Sequence, residues 1–126
     1  MKKFLIASAF ALALPTAALA DVSAELVVAS QHAGLAAKAG TIDMVHMHLH
    51  HAVNCLVGPA GAGFDASNAN PCAKAGSGAI PDSMDAGQKA KLQTALKTAQ
   101  AGLASSDLAT AQKDATDTSA TIDSAK

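Results

Sequence analysis

The sequence predicts an all-α protein: an antiparallel four-helix bundle of two helical hairpins, joined by a disulfide-stapled, Gly/Pro-rich loop. Three observations predict it. Apolar residues recur at three- and four-residue spacing in the later helical segments, as one face of a helix requires. Sharp breaks at Gly40 and at Ser105-Ser106 each fall between two such segments. Between the halves, residues 58–81 hold Gly58, Pro59, Gly61, Gly63, Asn68, Asn70, Pro71, Gly76, Gly78 and Pro81 and show no period, which marks a loop.

Residues 1–20 are set aside first. Lys2 and Lys3, the apolar run Phe4 to Leu14, Pro15 and the small-x-small Ala18-Leu19-Ala20 make up a secretory signal with cleavage after Ala20. The apolar run is too short for a comfortable membrane span, so the mature chain, Asp21 to Lys126, is expected free of the membrane, periplasmic or secreted from a bacterium. It is expected to form one domain. Two of the nine Lys leave with the signal, so the ten acids stand against seven Lys and the formal charge is −3. Without Arg, Trp or Tyr, the chain has neither a basic face for phosphate nor a stacking platform for bases, which excludes nucleic acid as a partner. Ala supplies 25 of the 106 mature residues and Phe64 is the one mature aromatic, so the core must be thin.

The first helix runs from Val22 to Ala39, with Ser23 as N-cap, Glu25 in the first turn and Gly40 as the stop. The second starts at Thr41 and carries Ile42, Val45, Leu49, Ala52 and Leu56 on one stripe until Gly58-Pro59 ends it. An oxidising compartment favours pairing of the only cysteines, Cys55 and Cys72; the alternative is a pair of thiolate metal ligands. The closed loop of about 17 residues would contribute roughly 3 kcal/mol. Phe64 is expected to pin the loop to the bundle. Asp82 or Ser83 caps a third helix that runs to about Ala104, with Leu92, Leu96, Ala99 and Leu103 as its stripe. The fourth carries Leu108, Ala111, Ala115, Thr118 and Ile122. Its stripe overlays that of the second helix with a shift of 66, which also carries Gly40 onto Ser106.

The chemistry is concentrated in the five histidines. His46-Met47-His48-Leu49-His50-His51 lies within the second helix. At about 100° per residue, Asp43, His46 and His50 fall on one flank of the stripe, and Met44, His48, His51 and Cys55 on the other. His46 and His50 are an i,i+4 pair whose imidazoles can reach one ion, and His32 lies across the first turn at the same height. Water, Asp43, Met44 or Met47 would complete the ligand set. Under the shift of 66, His46, Met47, His48, His50 and His51 correspond to Gln112, Lys113, Asp114, Thr116 and Asp117, and His32 to Thr98. If the two halves share a scaffold, the His enrichment is an addition to it. Imidazoles suit Cu(II), Zn(II) or Ni(II), affinity order favours copper, and the thioethers would suit reduced copper. Two other readings remain open: a compositional His tract, and a pH switch.

The signal segment, the paired hairpins with Gly40 and Ser106 at their turns, and the run His46 to His51 give the chain a further context. In these features it is similar to the small periplasmic metal-binding proteins of bacteria. The resemblance implies an exported, Ala-rich four-helix bundle that takes up divalent metals on helix-borne His. With few His, all in the first half, one or two sites are expected in place of bulk storage. The function expected is that of a copper or zinc buffer or carrier, with an envelope interaction or chaperone-like protein as the alternative. No Cys-x-x-Cys-His is present, no haem is expected, and no catalytic constellation is legible.

Overall fold

A computed structural model describes residues 19–126; the expected signal segment lies outside the described residues, apart from its last two positions. The described chain is all-helical: α1 (Val22–Lys38), α2 (Ile42–Val57), α3 (Ala79–Asp82), α4 (Ala86–Ala104) and α5 (Leu108–Asp123). Among the described residues no helix is long and apolar enough to cross a membrane.

Each long helix begins on a side-chain cap. Asp21, Thr41, Asp85 and Asp107 accept hydrogen bonds from the backbone N–H of Ala24, Met44, Gln88 and Thr110. These bonds satisfy donors that a helix leaves free in its first turn. Two caps differ from expectation. Asp21 caps α1 in place of Ser23, because the Asp21 N–H is held by the Ala75 carbonyl at 2.8 Å and the residues after it are free to turn helical. Asp85 caps α4 in place of Asp82 or Ser83, because residues 79–82 form the separate turn α3 and buried Ser83 turns inward to Gln88 Oε1.

The four long helices pack in a ring, α1 on α2 and α5, and α4 on α5 and α2, while α3 sits against α1, α2 and α4. The expected stripes face the middle: Val45, Leu49, Ala52 and Leu56 are buried, as are Leu92, Ala99, Ala111, Ala115, Thr118 and Ile122. Small residues let the helices approach closely. A Cβ on Gly102 would lie 2.8 Å from Leu49 Cδ1 and 3.1 Å from Asp114 Cβ.

One contact occurs twice. His46 Nε2 donates to the Ser105 carbonyl at 2.9 Å, and Gln112 Nε2 donates to the Ala39 carbonyl at 2.8 Å. Both donors and both acceptors are 66 residues apart, the shift that overlays the two stripes. The turn after α1 and the turn after α4 are thus each tied down by a side chain from the other half.

The connecting segment is bound to α2. Cys55 and Cys72 form a disulfide, with Cα atoms 5.2 Å apart. Beside it, buried Asn54 accepts from Asp65 N and donates to the carbonyls of Asp65 (2.9 Å) and Ala69 (3.1 Å). The loop covers the last part of α2, so Ala52 to Val57 are all buried whatever their helical angle. Phe64 packs on the core from the loop. The reversal at Gly58 has φ +68°, and the added Cβ of any other residue would meet the Ser77 carbonyl oxygen at 1.6 Å.

Candidate metal centre

α1 and α2 bring three histidines together. His48 and His51 are one turn apart on α2, and His32 faces them from α1. His32 Nδ1 stands 3.4 Å from His48 Nδ1 and 3.4 Å from His51 Nδ1. One nitrogen from each ring falls in a group whose members lie within 4.8 Å of one another. The His32 and His51 rings meet edge to face, with centroids 4.9 Å apart.

These distances fit a shared ion. A tetrahedral centre with metal–nitrogen bonds of about 2.0–2.1 Å separates its ligand nitrogens by about 3.3–3.4 Å. Ligation requires a lone pair on each participating nitrogen, hence neutral rings with the proton on the other nitrogen. The surroundings of His32 and His51 favour that state. Partial burial lowers the pKa of His32, with further lowering from His51 and His48. Burial likewise lowers His51, helped by His48 and His50. All three rings keep some exposure, and His32 lines a shallow cleft with Gln31, Gly34, Leu35 and Lys38 through which solvent reaches it. No carboxylate belongs to the group, so a bound divalent ion would keep its charge and an open position for water or an anion.

The remaining candidates lie elsewhere. His46 is engaged with Ser105 and is not in the three-His group. His50 Nδ1 sits 3.4 Å from Asp65 Oδ2 as an electrostatic contact, and that buried nitrogen makes no hydrogen bond. Asp65 itself is held at a pKa of about 2 by the Ser67 hydroxyl, the Ser67 N–H and the Asn68 amide, with the His50 ring adding to them. Asp43 is exposed and outside the group, and Met44 and Met47 are 47 % and 39 % exposed on α2. The pairing expected from the sequence, His46 with His50 and His32, therefore differs from the one seen. His32 does meet α2 at the expected height, but it meets the opposite flank, on which His48 and His51 stand.

A second cleft of about 410 Å³ lies between the loop, α3 and α4, lined by Val57, Ile80, Pro81 and Leu96 among others. No titratable group lines it. Neither a family model, nor a curated protein, nor a solved structure matches the chain.

Proposed function

We propose that this chain is an exported metal-binding protein, a copper or zinc buffer or carrier, which holds one divalent transition ion on His32, His48 and His51. The observation that carries the reading is the pair of 3.4 Å separations between Nδ1 atoms from two helices. The open coordination position and the absence of a carboxylate favour an exchangeable ion over a structural one. Copper is preferred to zinc and nickel on affinity order, and exposed Met44 and Met47 are the thioethers nearest in sequence for reduced copper. In this reading the scaffold is an antiparallel four-helix bundle related to the small periplasmic metal-binding proteins. Supporting the antiparallel arrangement, Gln88 at the start of α4 is tied to Ala125 beyond the end of α5, while Gly102 near the end of α4 abuts Ala111 near the start of α5. The disulfide and the bacterial-type leader favour the periplasm.

Calorimetric titration of the 21–126 protein with Cu(II), Zn(II) and Ni(II) tests the reading. One ion per chain is expected, lost in His32→Ala, His48→Ala and His51→Ala. Affinity no tighter than millimolar would refute it, and loss confined to His46→Ala or His50→Ala would move the site. The alternative, an envelope interaction protein, is favoured by the apolar cleft between the loop and α4, and predicts no metal binding at all.

A further inference from the structure

Glu25 is fully buried. Its Oε1 accepts from the Gly78 N–H at 2.9 Å, while its Oε2 is buried without a hydrogen-bond partner. Burial raises its pKa against the lowering pull of the Gly78 N–H, and the Asp82 and Asp21 carboxylates raise it further, Asp82 standing close enough to share a proton with it. Asp82 stands on α3 and accepts from the Ser77 N–H at 2.6 Å. Four consecutive residues form the opposite wall, since Ala75 accepts from the Asp21 N–H, Ser77 donates to Asp82, and Gly78 donates to Glu25. Between them Gly76 is required, because a Cβ there would lie 2.3 Å from Asp82 Oδ2 and 2.8 Å from Glu25 Oε1. Lys74, the loop's one lysine, is exposed and forms no ion pair among the described residues. Buried Glu25, half-buried Asp82 and exposed Asp21 thus make an acidic wall that no ion pair among the described residues neutralises. Helical side chains lean toward the N-terminus, so the Glu25 carboxyl leans back toward Asp21, one turn earlier.

We propose that this wall is the seat of the protein's own α-ammonium group, created by cleavage of the Ala20–Asp21 bond. Water adds across that bond: the Ala20 carbonyl carbon takes the hydroxyl and leaves as a carboxylate, and the Asp21 nitrogen takes the proton and becomes an ammonium at neutral pH. One of its three N–H donors keeps the Ala75 carbonyl, now as a charge-assisted bond, and the new charge faces Glu25, Asp82 and the Asp21 side chain. A cation at a helix N-terminus is ordinarily disfavoured, and the three carboxylates reverse that preference. Processing then adds a charged tie to the hydrogen bonds that already join the loop and α1. The inference stands on the expected cleavage point and is independent of metal binding.

The test compares the protein starting at Asp21 with one starting at Ala20, in which the ammonium sits about 3.8 Å further along the chain. Urea unfolding at pH 7 should give the Asp21 form a folding constant about tenfold larger. The carboxylates raise the amine above its ordinary value of about 7.7–8.0, so its contribution is full below about pH 8 and is lost as pH climbs through the raised value. The gap between the two forms should therefore close by about pH 10. It should vanish in the Glu25→Gln background, with Asp82→Asn as the second variant if the first does not fold. Equal stability at pH 7, or a gap that survives both variants, overturns the proposal. So does an exported protein whose sequenced N-terminus is not Asp21, or a difference between the forms seen only in metal affinity.

Discussion

His46 of α2 bonds the carbonyl that ends α4, and Gln112 of α5 bonds the carbonyl that ends α1. At this pair of equivalent positions, an imidazole and a primary amide perform one task, so the task needs an N–H donor and nothing specific to histidine. Three of the four other equivalent positions show the opposite. Where the first helix pair has His32, His48 and His51, the second has Thr98, Asp114 and Asp117. Thr98 donates to the carbonyl of Thr94 in its own helix, and Asp117 pairs with Lys113 on an exposed face. The second pair packs without a cluster of imidazoles there, so the histidines of the first are not demanded by packing. The difference separates a histidine that belongs to the scaffold from three that are surplus to it.

The largest difference between the halves is the staple on α2. Replacing both cysteines by Ser should cost about 3 kcal/mol, which lowers the melting temperature by roughly 12 °C or more. The loss should be local as well as global. Hydrogen exchange should quicken at Ala52 to Val57, which the loop covers, and much less at the equivalent end of α5, which the stapled loop does not reach. Equal acceleration in both helices would mean that the staple stabilises the whole core and that the two halves do not differ in this way.

Next in size is the candidate metal site. His32→Ala should weaken Cu(II) or Zn(II) binding at least about 100-fold, since it removes the one ligand contributed by α1. Thr98→Ala, its counterpart, should leave binding unchanged. A comparable loss from both variants would place the ion between the halves and not within the first.

The stripes were legible because each helix buries one face, and the positions from Val45 to Leu56 and from Leu108 to Ile122 record it directly. The height at which His32 meets α2 was legible too, because a tight turn fixes which residues lie opposite. The flank was not. His46 and His50 lie to one side of the stripe, His48 and His51 to the other, and the side that meets α1 depends on the sense in which the helices go round the ring. Spacing along one helix carries no information about that sense. Glu25 was hidden for another reason. An acid in a first turn reads as a solvated partner of the helix dipole, and only the return of residues 75–78 buries it. The turn α3, with Pro81 inside a Gly-rich stretch, gives no periodic signal in four residues.

Acid should act on the first helix pair specifically. Burial depresses the pKa of His32 and His51, so both are neutral in the folded and unfolded chain above about pH 6.5. Below that value the unfolded chain takes up protons first, and stability falls with pH. Metal binding follows the same sign, because protons compete for the ligand nitrogens. Three histidines of ordinary pKa would lose about thirtyfold in affinity between pH 7 and 6, and the depression at His32 and His51 should make the loss smaller. Titrations at the two pH values measure it, and a smaller loss of metal-free stability with falling pH in His32→Ala would assign the effect to this pair.

The smallest expected effect is the most discriminating. His46→Gln gives α2 the residue that α5 already carries at the equivalent place, and its amide can still donate to the Ser105 carbonyl. Stability should change by less than about 0.5 kcal/mol, and metal affinity not at all. His46→Ala, by contrast, leaves the Ser105 carbonyl without its donor and should cost about 1 kcal/mol. The reciprocal Gln112→His should be equally neutral and should create no second site, because Asp114 and Asp117 supply no imidazoles beside it. If His46→Gln instead lowered affinity tenfold with stability intact, His46 would be a ligand. The correspondence between the two helix pairs would then mislead at the one point where it is most exact.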